Sequence, residues 1–150
     1  MKNEGDTVKR FVCVFLILCL LPVCAFGGTL DDSISKFNIT ADLFGAPELN
    51  KSTLQEVSGK KVYTYQGGFV GFDDKGISIS GNGETFLIYA ICALSVLDGS
   101  NANFTDNCGL VMSNYLFCKL DGEDKYGITK GSVGFLISTY DNGFLFVAGR

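Results

Sequence analysis

Ser132-Val-Gly-Phe-Leu-Ile-Ser-Thr-Tyr140, Asp141-Asn-Gly143 and Phe144-Leu-Phe-Val-Ala148 read as two strands and the turn between them. β-branched and aromatic residues crowd both arms, and Asp-Asn-Gly is turn chemistry. Asn-Gly favours a type I′ turn, whose central residues need positive φ. That turn is expected to set Thr139 against Phe146 and Tyr140 against Leu145. The same signals recur upstream. Lys61–Gln66 carries the alternating Val-Tyr-Thr-Tyr, Phe69–Phe72 follows, and Asp73-Asp-Lys-Gly76 turns the chain into Ile77–Ser80.

Helical patterns separate these strands. Residues 30–45 place Ile34, Phe37, Ile39 and Leu43 where they can line one face, with Asp31 and Asp32 suited to a helix start. Gly45 and Pro47 end that helix. A second short helix is expected near Ser52–Val57. Glu84–Leu97 is apolar nearly all round, the pattern of a buried helix. A polar loop is expected from Asp98 to Asn107, and residues 109–120 fit helix and strand equally. The sum is an α+β chain, an antiparallel sheet with helices packed on one face.

Two stretches align without a gap. Residues 58–72 match 121–135 at six of 15 positions: Gly59/Gly122, Tyr63/Tyr126, Gly68/Gly131, Val70/Val133, Gly71/Gly134 and Phe72/Phe135. The spacing is 63 residues, about half of the chain beyond residue 27, so two tandem helix–meander units, 28–81 and 82–150, are one reading. Chance likeness between Gly-rich strand turns is the other. Residues 37–80, with Asp-Leu-Phe-Gly-Ala-Pro at 42–47, Val-Tyr-Thr-Tyr-Gln-Gly-Gly at 62–68 and Phe-Asp-Asp-Lys-Gly-Ile at 72–77, resemble a helix–Gly-x-Pro–strand–strand unit. Similar units occur in the β-lactamase inhibitor protein and in the small lipoprotein of the bacterial outer-membrane barrel-assembly machinery. The resemblance implies a binding protein with no enzymatic activity.

The N-terminus points to export. Lys2, Lys9 and Arg10 precede the apolar run Phe11–Leu21, Pro22 breaks it, and Ala25-Phe26-Gly27 offers a small-x-small cleavage site. Residues 1–27 are therefore expected to be a signal peptide and 28–150 a single exported domain, periplasmic or secreted. Retention as an anchor, or lipidation at Cys24, are the alternatives; Phe11–Phe26 spans 16 residues, short of the roughly 20 that cross a bilayer. An oxidising compartment favours disulfides. Cys108 and Cys118 flank a short segment and are expected to pair, leaving Cys92, in Phe86-Leu-Ile-Tyr-Ala-Ile-Cys-Ala-Leu94, as a buried thiol.

Composition narrows the function. At 47% apolar and 19% charged the chain has the makings of a packed core. Residues 28–150 hold fourteen acidic and nine basic side chains, a net charge of −5, the wrong sign for nucleic acid or an anionic membrane. With no histidine, Ser-His-Asp and Cys-His catalysis are excluded and no zinc spacing is present. The acidic groups Asp73/Asp74, Asp98/Asp106 and Asp121/Glu123/Asp124 stand in Gly- or Asn-containing turns, where carboxylates form turns well. Asp98, Asn101, Asn103 and Asp106 miss the alternate spacing of a calcium loop. No cofactor, metal or catalytic residue is expected. What remains is a surface: Tyr63, Tyr65, Phe69, Tyr126 and Tyr140 lie on or beside strands, and alternation cannot bury them all, so they are the candidate partner-binding residues. The expected function is a small inhibitor or immunity-type protein that occludes a protein partner. An envelope structural component, or a secreted effector glycosylated at Asn38 or Asn103, are the alternatives.

Overall fold

The computed structural model describes Leu30–Gly99 and Asn103–Arg150. The signal segment, its cleavage site at Gly27, Cys24 and the loop residue Asn101 lie outside the described residues. Three helices, α1 (Leu30–Leu43), α2 (Gly83–Asp98) and α3 (Phe104–Asp121), cover one face of a seven-stranded antiparallel sheet. Its strands are β1 (Gln55–Val57), β2 (Lys60–Tyr65), β3 (Gly68–Phe72), β4 (Gly76–Gly81), β5 (Lys125–Ile128), β6 (Gly134–Tyr140) and β7 (Gly143–Gly149). Their spatial order is β1-β2-β3-β4-β7-β6-β5. Two meanders, β2–β3–β4 and β5–β6–β7, thus meet through their last strands.

Strand pairing sorts side chains into rows. Lys125, Ile137, Phe146, Ile79, Val70 and Tyr63 stand abreast on the helix-covered face, and Gly127, Phe135, Ala148, Ile77 and Phe72 form the next row. Ile137, Phe146, Ile79 and Val70 are fully buried. Above them α2 buries ten of its 16 residues, as its all-round apolar sequence predicts, because it lies between α1 and α3 and over β4 and β7. Asn82 starts α2 by accepting the Gly83 N–H at 2.7 Å, and its amide donates to the Asn142 carbonyl across the sheet. Gly99, in the left-handed conformation, ends it.

The tyrosine hydroxyls in this core are tied to backbone. Tyr89 donates to the Pro47 carbonyl and Tyr65 to the Ser80 carbonyl, each at 2.6 Å, and the two rings meet edge to face at 5.0 Å. Phe37 packs on both Tyr89 and Phe72. Asn38 of α1 accepts the Leu49 N–H, so the Gly45–Pro47 turn is pinned from both sides.

Several expectations need correction. Residues 51–57 form a single 3-10 turn, Lys51–Thr53, and then the edge strand β1; Asn50 caps the turn by accepting the Ser52 N–H, and Leu54 turns extended. Ile39 points to solvent while Phe44 takes the core position beside Phe104. The loop after α2 ends earlier than expected, and 104–121 is one helix. The β6–β7 turn is two residues long: Tyr140 pairs with Gly143 and Thr139 with Phe144. Asp141 takes the positive φ, 39°, and Gly143 opens β7, where a Cβ would press on the Gly81 carbonyl. The shift from the expected register is two residues, so every side chain keeps its face.

The cysteine pairing is also corrected. Cys92, Cys108 and Cys118 are all free thiols. Cys108 and Cys118 lie on the same straight helix, ten residues and about 15 Å of rise apart. A disulfide requires Cα atoms within about 7 Å. Cys118 is buried with its sulfur toward the Ile137 carbonyl, and burial pushes the Cys108 thiol up to about 12.

Candidate interaction surface

The helices leave the opposite face of the sheet bare among the described residues. One row runs across all seven strands: Tyr126, Leu136, Val147, Ser78, Gly71, Val62 and Gln55. The next holds Ser138, Leu145, Ser80, Phe69 and Thr64, and Tyr140 opposite Gly143 closes the end. No charged side chain stands in these rows. Apolar and hydroxyl groups fill them except for the amide of Gln55 at the margin, and Tyr126 and Phe69, four strands apart, bracket about 19 Å of surface. A large uncharged patch of this kind on an acidic protein is a candidate interaction surface.

The five aromatic candidates divide by strand parity. Phe69, Tyr126 and Tyr140 lie on the open face, 37%, 75% and 45% exposed. Tyr63 is 6% exposed and stacks edge-on against Phe72 on the helix side. Tyr65 is half-buried there, with burial raising its phenol well above the usual range. These two hold the core and cannot serve as surface anchors.

The contrast between Tyr63 and Tyr126, aligned in sequence, has a structural cause. β2 and β3 are joined by the two residues Gln66 and Gly67, whereas Thr129–Val133 join β5 to β6. The second meander therefore pairs in a different register. Lys125 and Gly127 flank Tyr126 on the helix side, and Tyr126 turns outward. The likeness is one of sequence and meander order, with the register broken at this loop. Equivalent positions before and after it keep their roles: Gly59 and Gly122 both adopt positive φ, and Phe72 and Phe135 are both buried.

Leu136, Leu145, Val147 and Ile128 join the surface without having been singled out. Phe135–Ile137 and Phe144–Val147 are apolar at consecutive positions, which reads as a strand covered on both sides. Here only one side is covered.

The carboxylates are used locally. Asp73 accepts the backbone N–H groups of Lys75 and Gly76 in the β3–β4 turn. Asp98 accepts from the Asn107 amide at 2.8 Å and the Thr129 hydroxyl at 3.2 Å, joining α2, α3 and the β5–β6 loop. Asp106 pairs with Lys130 at 2.6 Å, and Asp121 and Glu123 both draw on Lys125. Among the described residues no three of His, Cys, Asp and Glu gather to hold a metal ion, and no helix is long and apolar enough to cross a membrane. Comparison with family models, curated proteins and solved structures finds no match.

Proposed function

We propose that this chain is an exported binding protein that occludes a protein partner with the open face of its sheet, and has no chemistry of its own. The observation that carries the reading is the uncovered face whose two central rows are uncharged and which bears Phe69, Tyr126 and Tyr140 around Leu136, Leu145 and Val147. Aromatic anchors on a rigid sheet bury much area for little lost side-chain freedom. Asp73, Asp74, Glu123, Asp124 and Asp141 lie in turns at the ends of the strands, where they would steer a basic partner and speed encounter. An inhibitor or immunity protein against a secreted toxin fits this combination.

The test is a capture from lysate and culture medium of the source organism, run in parallel with two variants. Phe69→Ala/Tyr126→Ala strips the open face. Ile39→Ala/Lys36→Ala alters the far side of the molecule, on α1. A single stoichiometric protein retained by the native chain and the α1 variant, and lost with the open-face variant, supports the reading. Equal retention by all three would overturn it. Tyr126→Ala alone is expected to weaken that complex about 10- to 30-fold, roughly 1.4–2 kcal/mol.

A further inference from the structure

The sheet has two edges, and they differ. β1 is three residues long, and Glu56 on it is paired with Lys61 at 3.7 Å; short, charged strands are how proteins blunt an edge. β5, one residue longer, is less protected. Its only charge, Lys125, is half-buried and drawn back toward Asp121 and Glu123, while Tyr126 and Ile128 stand 75% and 73% exposed. Among the described residues no strand pairs with its outer edge.

The helix beside that edge is bare as well. Asp121 of α3 reaches Lys125 of β5 at 3.5 Å, which fixes the flank of α3 that looks over the edge. Phe117, one helical turn earlier on that flank, is 57% exposed, and Leu116 and Leu120 continue the apolar surface outward. Together with Tyr126 and Ile128 these side chains expose roughly 500 Å², at about 150–200 Å² for a full side chain of this size. A standard interface takes about 800 Å² from each partner, and the strand backbone adds to the side-chain share.

We infer that the β5 edge and the adjoining flank of α3 form a self-association surface, on which a second copy of this chain pairs β5 against β5, antiparallel, about a two-fold axis. Charge decides for a second copy in this orientation. The segment is acidic before the strand, at Asp121, Glu123 and Asp124, and basic after it, at Lys130. A two-fold through an antiparallel pair falls on a single residue, and centring it on Gly127 sets Tyr126 of each copy beside Ile128 of the other and Asp124 opposite Lys130. A parallel pairing would set like charge on like. The product is one fourteen-stranded sheet with Phe117 meeting its symmetry mate beside it, a closed assembly with both β5 edges consumed.

The inference does not rest on the open-face reading; Tyr126 and Ile128 border both surfaces, and sedimentation reads the edge whereas partner capture reads the face. Its test is sedimentation of the protein purified after expression of the full-length sequence. The native protein is expected to sediment as a dimer at micromolar concentration. Tyr126→Lys/Ile128→Lys, at two exposed positions, is expected to sediment as a monomer with an unchanged circular dichroism spectrum. Asp124→Lys is expected to weaken the dimer about tenfold or more, and Asp124→Asn to weaken it less. A native protein that stays monomeric overturns the inference, as does a dimer that survives the lysine pair. A dimer unmoved by Asp124→Lys overturns the antiparallel arrangement.

Discussion

Tyr89 and Tyr65 show how much of this core depends on single polar atoms. The two phenols pack against each other and each donates to a backbone carbonyl. Burial raises both, Tyr89 from its ordinary value of 10.0 to about 12. The sign follows from linkage: the fold favours the protonated phenols, so the unfolded chain loses its protons first as pH climbs. Their contribution is complete below pH 10 and drains away between pH 10 and about 12. Thermal melts followed by circular dichroism should show the melting temperature falling across that window. Tyr89→Phe should flatten the fall and cost about 1–3 kcal/mol at neutral pH, because the Pro47 carbonyl is left unpartnered. The thiols make a second case. With Cys108 and Cys118 kept apart by their helix, a reductant should leave the melting temperature unchanged, and non-reducing peptide mapping should recover the two cysteines in unlinked peptides.

The strands meet tightly enough that glycines are spacers at the junction of the two meanders. A Cβ on Gly76 would strike the Ala148 carbonyl of β7. Gly76→Ala should therefore prise β4 from β7 and cost about 1–3 kcal/mol, read from urea unfolding. A loss under 0.5 kcal/mol would show that the junction has slack. The elements themselves were largely readable in the sequence, because periodicity and turn chemistry are local. The β6–β7 hairpin, the β2–β3–β4 meander and the buried α2 all follow from runs such as Val-Tyr-Thr-Tyr and Phe86–Leu94. What failed was whatever a distant contact decides. Leu54 extends, ending the turn begun at Lys51, because Thr53 already shares hydrogen bonds with Thr64 of β2. Residues 109–120 alternate too weakly to choose a period, and their helix is set by packing on β5, β6 and α2. The outward face of Tyr126 depends on a five-residue connection whose effect on register no local pattern encodes.

Across the molecule, protection should follow the order of strands. β4 and β7 lie at the centre of the sheet, sealed by α2, whereas β1 and β5 form its margins. Amide hydrogen exchange should be slowest at Ile77, Ile79 and Phe146 and fastest in Gln55–Val57. A uniform exchange rate over all seven strands would contradict that gradient. The sheet also joins its two halves by a seam, β4 with β7, whose strands come from opposite sides of residues 100–102. Neither half can finish a sheet alone: the first ends in an unsatisfied β4 and carries the greasy α2, the second ends in an unsatisfied β7. The molecule is therefore a natural candidate for splitting. Co-expressed as two pieces cut between Gly99 and Asn103, the fragments should find one another and reassemble, each acting as the missing template of the other, so that an outside signal governing their encounter would switch the whole fold on.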